Sequence, residues 1–273
     1  MNKQVLLIND LAGYGKVALS AMMPILSYMG INIQNLPTAL VSNTLDYGKF
    51  DILDTTTYMQ NTLKVWDELG FKFNAIATGF ICNETQANLI NEYCHACAKE
   101  GALILCDPIM GDEGNLYPGM DQQCVANMRK LINCADYVVP NFTEASFLTN
   151  HQYSTCPSQE EIKEVIDDLR ALGSKSVIIT SVVQGDKYKV CGFDHLKSEY
   201  FELEYENIPV RLPGTGDVFS SCLLGSLLNG SDLKSGVLKA MHVVEKMIVL
   251  NMHNKDLFKG LEIESCLKEI NHA

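Results

Sequence analysis

Short apolar runs alternate with longer amphipathic stretches through the first two thirds of this chain, and that rhythm restricts the fold more than any single motif does. The runs Gln4 to Asn9, Asn32 to Val41, Ala75 to Thr78, Leu103 to Cys106, Tyr137 to Val139 and Val177 to Thr180 have the length and composition of strands. Most are followed by a polar or glycine-containing turn. Between them, residues 15–30, 55–70, 83–100, 121–133 and 158–172 space their apolar side chains as helices do. This predicts βα units and a mostly parallel sheet covered on both faces. After Thr180 the texture changes: Lys187 to Phe193 and Glu199 to Tyr205 read as antiparallel strands around a turn, and from Thr215 the chain is nearly all helical. No repeat, low-complexity tract or Gly/Ser linker divides it, so residues 1–273 are read as one α/β domain.

A formal net charge of -12 would repel a polyanionic backbone, which argues against nucleic acid as a partner and requires any phosphate to be met by a local site. No secretory leader and no apolar run long enough to cross a bilayer is evident, so a cytoplasmic protein with no membrane partner is expected. The ten cysteines are too scattered for a disulfide scaffold and are read as reduced thiols. Cys94 and Cys97 have the C-x-x-C spacing, but no second pair supplies the remaining ligands of a metal site.

In an open α/β sheet, ligands gather beyond the carboxyl ends of the strands. There the sequence places Asp10, Asp107-Pro108, Pro140-Asn141 with Glu144, and Thr180-Ser181. Each alone is a common helix cap or turn residue; four on one rim point to a site.

Gly13-Tyr14-Gly15-Lys16-Val17-Ala18 fits the pattern G-x-G-x-x-A. A dinucleotide site needs its first glycine directly after the strand and an acidic residue about 20 positions on. Here Asn9 to Ala12 intervene, and residues 31–43 contain neither Asp nor Glu. A Walker loop fails too, because Asp10 and Val17 stand where Gly and Ser/Thr are needed. The two glycines are left as a flexible turn lining the same rim, a substrate edge rather than a phosphate cradle.

A better anion cradle is Pro213-Gly214-Thr215-Gly216-Asp217, which opens a strongly helical run. Two glycines let successive N–H groups converge on one anion, and the helix dipole adds to their pull. Asp217 has two readings: a first-turn carboxylate favoured by the dipole, or a base beside a transferring phosphoryl group. Its company favours the base.

Gly214-Thr215-Gly216-Asp217 resembles the anion hole and catalytic aspartate of the ribokinase-like kinases, and within that superfamily the chain is most similar to the pyridoxal kinases. Tyr14-Gly15, Ser20-Ala21 and Pro24 resemble the family's opening segment, and Val41-Ser42-Asn43 with Tyr47-Gly48-Lys49 its substrate-side loop. Cys106-Asp107-Pro108-Ile109-Met110-Gly111 is similar to its D-P-V-M-G stretch, and Pro140-Asn141 with Glu144 to its P-N-x-x-E motif. The motifs run in order over nearly the whole chain.

The resemblance implies a three-layer α/β/α fold with a mostly parallel central sheet, and ATP-dependent phosphorylation of the hydroxymethyl group of a B6 vitamer. Asp217 would be the base and Gly214, Thr215 and Gly216 the anion hole. Asp107, Asn141, Glu144 and Thr180 would serve ATP, with Asp107 and Glu144 holding Mg²⁺ partly through water. Asp10, Tyr14, Ser42, Asn43, Leu45 and Phe80 would face the acceptor, a small heteroaromatic alcohol. Gly111 to Tyr117 resembles a mobile flap over ATP. A homodimer is expected, and a monovalent cation is left open as a further cofactor.

Three positions depart from the family pattern: Asp10 where a serine is usual, Thr44-Leu45 where the loop offers His and Thr, and Phe80 where a Tyr is frequent. Asp10 either caps the following turn or pairs with a cationic N–H of the acceptor. Hydroxymethylpyrimidine kinase, another small-molecule alcohol kinase, and a catalytically silent nucleotide-binding regulator are the alternatives.

Overall fold

The strand Gln4–Ala12 carries four consecutive side chains, Val5 to Ile8, with no solvent exposure at all, so both of its faces are covered. Fully burying each of these large apolar side chains is worth about 1.5–3 kcal/mol, which fixes the strand at the centre of its layer. The structure is a computed structural model of the chain and describes residues 3–271.

In chain order the elements begin with β1 (Gln4–Ala12), α1 (Ala18–Tyr28), β2 (Asn32–Val41), β3 (Ile52–Asp54), α2 (Thr56–Glu68) and β4 (Ala75–Thr78). There follow α3 (Glu84–Lys99), β5 (Leu103–Cys106), β6 (Gly111–Asp112), β7 (Asn115–Leu116), α4 (Gln122–Ile132), β8 (Tyr137–Val138), α5 (Phe142–Thr149) and α6 (Gln159–Ala171). The chain ends with β9 (Ser176–Gln184), β10 (Lys187–Asp194), β11 (Glu199–Tyr205), α7 (Thr215–Leu228), α8 (Leu233–Asn251) and the short α9 (Ile263–Cys266).

Two units divide these elements. The first comprises the chain up to Ala77 and from Ile208 on; the second is Thr78–Asn207. In the first, strand order is β4-β1-β2-β3, with β1 and β2 parallel and the short β3 antiparallel at the edge. Helix α1 packs on β1 and β2, α7 packs on α1, and α8 packs on α7. Helix α7 is buried almost all round, which is why it is apolar with small polar residues rather than amphipathic. In the second unit the order is β11-β10-β9-β8-β5, parallel from β5 to β9 and antiparallel from β9 outward. The α/β class with mostly parallel strands is thus as the alternation predicts.

The differences from the sequence reading are local. Strand β1 runs on to Ala12, beyond Asn9, because a bulge at Asp10 lets pairing with β2 resume at Leu11. Strand β9 similarly continues past Thr180 to Gln184, with a register shift against β10 where Ser181 takes a positive φ of 57°. Helix α5 has no amphipathic stripe to read, since Phe142 to Ser146 and Leu148 are all buried. Residues 111–116, part of the segment that resembles a flap, form a short hairpin: β6 pairs with β7 around Glu113 and Gly114, both at positive φ. All ten cysteines are free, and among the described residues no helix is long and apolar enough to cross a membrane.

Helix α6 starts on a capping box in which Ser158 Oγ accepts the Glu161 N–H while the Glu161 carboxylate accepts the Ser158 N–H. Ser158→Ala should lower the unfolding free energy by about 0.5–2 kcal/mol in urea titration and leave turnover unchanged.

Candidate functional site

The first unit gathers the sequence-predicted base, anion cradle and most of the acceptor residues. Gly214 is the N-cap of α7 with φ 88°, and a Cβ there would lie 2.3 Å from the Lys16 carbonyl oxygen. Only glycine meets both demands. No side chain caps α7, so the N–H groups of its first turn have no side-chain acceptor at the N-cap, and nothing crowds Gly216 within 4 Å.

Asp217 stands in that first turn and is only 8% exposed. Its Oδ2 accepts the Ala18 N–H at 2.8 Å, while its buried Oδ1 has no hydrogen-bond partner. Burial pushes its carboxyl up to about 6, against the lowering pull of the Ala18 N–H and the Asn9 side chain. Ala18 reaches this N–H at a positive φ of 49°, a conformation that costs a non-glycine residue on the order of 1–3 kcal/mol. A carboxylate with one oxygen anchored and the other bare, about 6 in pKa, is equipped to accept a proton near neutrality.

Asp10 is the bulged residue of β1 and is half-buried. Burial, and then the charge of Asp217, push it up to about 7. Its own N–H is taken by the Asn9 Oδ1 at 3.0 Å, and the same N–H exerts a lowering pull on its carboxyl.

The opening Gly13 to Ala18 stretch is neither of the phosphate loops it resembles. Gly13 and Tyr14 donate their N–H groups to the Val41 and Ser42 carbonyls, extending the β1–β2 pairing into the loop that follows. Tyr14, 51% exposed, Ser42, Asn43, Tyr47 and Lys49 line a cavity of about 310 Å³. Ser42 Oγ donates to Asn43 Oδ1 and accepts the Asp51 N–H, while Asn43 Nδ2 donates to the Thr44 and Lys49 carbonyls. Their polar groups therefore close the loop. Leu45 sits on the following 3-10 turn, Leu45–Tyr47, and is partly exposed.

The second unit holds the residues expected to serve ATP, with Phe80. Glu144, 4% exposed, accepts three backbone N–H groups: Met110 at 3.0 Å and Gly111 at 3.5 Å on Oε1, and Asn141 at 2.8 Å on Oε2. Asn141 returns the capping box by accepting the Glu144 N–H at 2.9 Å, and its Nδ2 donates to the Gly111 carbonyl at 2.7 Å. Burial and the neighbouring Asp107 raise the Glu144 carboxyl well above its usual range, and the three N–H groups oppose this. Thr180 donates its N–H to the Pro140 carbonyl, bridging β9 to Asn141. Half-buried Asp107 follows β5, and its N–H bonds the Thr78 carbonyl; Phe80 lies just past β4. Among the described residues no group of three or more His, Cys, Asp or Glu side chains could hold a metal.

The backbone amides of Ala18, Met110 and Gly111 were not legible as site groups, because any residue type supplies an N–H. Asn9 carried a signal, as a buried amide directly before Asp10.

A pyridoxal kinase of Arabidopsis thaliana is 36% identical over 126 residues, 44% of this chain and 39% of that protein. A solved Bacteroides thetaiotaomicron protein, crystallised with pyridoxal and described as a candidate phosphomethylpyrimidine kinase, superposes with a TM-score of 0.94 at 32% identity, covering 99% of this chain and 96% of its own. The pyridoxal kinase of Lactobacillus plantarum superposes at 0.88 with 27% identity, covering 99% and 97%. Fold and site together define a class: a phosphotransferase of the ribokinase-like superfamily, three-layered with a mostly parallel sheet, that acts on an alcohol group. The family model described as phosphomethylpyrimidine kinase matches residues 26–260. The chain belongs to the pyridoxal kinase family of that superfamily.

The raised Asp217 pKa has a consequence for stability. Unfolded, an aspartate titrates at about 3.9; folded, Asp217 keeps its proton to about 6. Between those values the folded state binds more protons, so its stability falls as pH rises through the window and stays lower above it. Asp217→Asn should remove this loss, raising the urea midpoint at pH 8 by the equivalent of up to about 3 kcal/mol and leaving it little changed at pH 4.

Proposed function

We propose that this protein transfers the γ-phosphoryl group of ATP to the hydroxymethyl group of a B6 vitamer. The observation that carries the reading is Asp217: a buried carboxylate with one unpartnered oxygen, in the first turn of an uncapped, glycine-led helix. Crystallisation of the Bacteroides relative with pyridoxal supports the acceptor class. The family match runs through both units, which supports reading them as parts of one kinase domain.

In this reading the bare oxygen of Asp217 takes the hydroxyl proton as the acceptor oxygen bonds to the γ-phosphorus. The bond from that phosphorus to the bridging oxygen breaks, and ADP leaves with the electron pair. The N–H groups of Gly214, Thr215 and Gly216 stabilise charge on the phosphoryl oxygens. On the second unit, Asp107 and Glu144 suit a divalent cation, because the charge of Asp107 helps raise the Glu144 carboxyl and a cation relieves that repulsion. With all three N–H bonds on Glu144 retained, Asp107 is the direct or water-bridged ligand and Glu144 positions it. Bound Mg²⁺ would neutralise the ATP phosphates. Asn141 and Thr180 shape the nucleotide end, with Phe80 on the acceptor.

The matched family description favours a second acceptor, a hydroxymethylpyrimidine or its phosphate. Turnover of purified protein with ATP against a panel of both acceptor classes separates the two: kcat/KM higher for a B6 vitamer supports the leading reading, and higher for the pyrimidine replaces it.

Asp217→Asn should bind ATP as the parent does and turn over roughly 10²–10⁴ times more slowly. Near-parental turnover would remove it from the role of base. Asp107→Asn should raise the Mg²⁺ concentration for half-maximal rate several-fold, and an unshifted Mg²⁺ titration would take Asp107 out of the metal site.

A further inference from the structure

Asp10 is a carboxylate placed at a cost with no visible return in the protein itself. The bulge in β1 takes it out of the regular ladder, yet it remains half-buried. Among the described residues no Lys, Arg or His pairs with it, and the donor that lowers its carboxyl is only its own backbone N–H; the charged group that acts on it is Asp217, another carboxylate. The two acids share one neighbourhood, in which Asp217 Oδ1 is itself buried without a partner. A structural aspartate would be expected to find an N–H at a cap or a cation, as the capping carboxylates of this chain do at Asp121 and Asp232. A pair of unneutralised acids instead forms a local negative potential in a partly dry setting, where a positive charge is worth far more than in water.

We infer that Asp10 recognises a positively charged N–H group on the acceptor, a ring N–H⁺ or a side-chain ammonium, and so sets which alcohols this enzyme takes. The inference rests on the proposed B6 reading and adds to it the charge state of the substrate. The cation neutralises Asp10, which in the free protein holds its proton partly near neutral pH. Binding therefore discharges that proton to solvent. It also leaves Asp217 as the one acid free to accept the hydroxyl proton, so recognition and chemistry use different carboxylates.

The test compares the parent with Asp10→Ser and Asp10→Asn, all checked by thermal melting, on pyridoxine, pyridoxamine and the carbocyclic analogue of pyridoxine in which CH replaces the ring nitrogen. The expected result is a rise in KM of about tenfold or more for charged acceptors, with the carbocycle and the KM for ATP within about twofold of the parent. A rise for pyridoxine and pyridoxamine alike assigns the ring N–H⁺; a rise for pyridoxamine alone assigns the ammonium. Calorimetry of acceptor binding at pH 7 in buffers of different ionisation enthalpy should show proton release for the parent and none for Asp10→Asn. A KM rise that includes the carbocycle equally, a fall in kcat with KM unchanged, or proton release retained in Asp10→Asn overturns the inference. If the parent phosphorylates B6 vitamers but the variants do not discriminate, this inference alone falls; if the parent phosphorylates none of them, the proposed function falls and takes it along.

Discussion

A carboxylate buried at the head of a buried helix is the constraint around which the first unit is organised. Removing a charged carboxylate from water is costly unless hydrogen bonds replace the lost solvent. Asp217 receives the Ala18 N–H, the Asn9 amide and the favourable end of the α7 dipole, and still keeps one oxygen unpartnered. The features that supply those partners are themselves strained or irregular. Ala18 bends to positive φ, Gly214 takes a conformation and a clearance that only glycine has, and β1 carries a bulge immediately after Asn9. Strain of this kind persists only where the surrounding packing over-determines it, and here α7 is enclosed by α1 and α8 along most of its length.

Glu144 in the second unit shows what the opposite arrangement does. It too is buried, but three backbone N–H groups and the capping box with Asn141 use both of its oxygens. Those bonds tie the start of α5 to residues 110 and 111, where the β6–β7 hairpin begins, and Gly114 adds an N–H to Thr143 Oγ1 at 2.9 Å. A saturated carboxylate is a poor base and a good brace. The same carboxylate group is thus set differently because the backbone around it offers three donors at Glu144 and one at Asp217.

How much of this was legible in sequence follows from where the information sits. Strand positions were legible where apolar runs are continuous, as in Ala75 to Thr78 and Leu103 to Cys106, because burial on both faces writes itself into composition. Helices with one wet face were legible for the same reason, whereas α5 was not, since a helix buried all round has no periodic contrast. The hairpin at 111–116 was invisible because two-residue strands carry no pattern, although Glu113-Gly114 is acceptable turn chemistry. At the site, the glycines and Asp217 were legible as a glycine-led helix start with a carboxylate in its first turn. The amides that hold Asp217 and Glu144 were not, because a backbone N–H has no letter of its own.

The loop at residues 42–49 sharpens what can recognise an acceptor on the first unit. Its polar side chains were the natural candidates, yet Ser42 and Asn43 use their hydrogen-bonding capacity on each other and on the backbone of residues 44, 49 and 51. What they present to the cavity is a fixed wall. Tyr14 and Tyr47, with ring centroids 6.0 Å apart, and the Lys49 side chain complete that wall, and Tyr47 is steadied in turn by an edge contact with Phe258 and by its hydroxyl bond to Asp256. A wall of rings selects by flatness and area and tells one aromatic alcohol from another only weakly, because stacking is tolerant of substituents. Discrimination by charge needs a group whose own hydrogen bonds are unspent. On this unit Asp217 keeps one oxygen unpartnered and Asp10 has no Lys, Arg or His beside it among the described residues, and the proton transfer proposed above uses only Asp217.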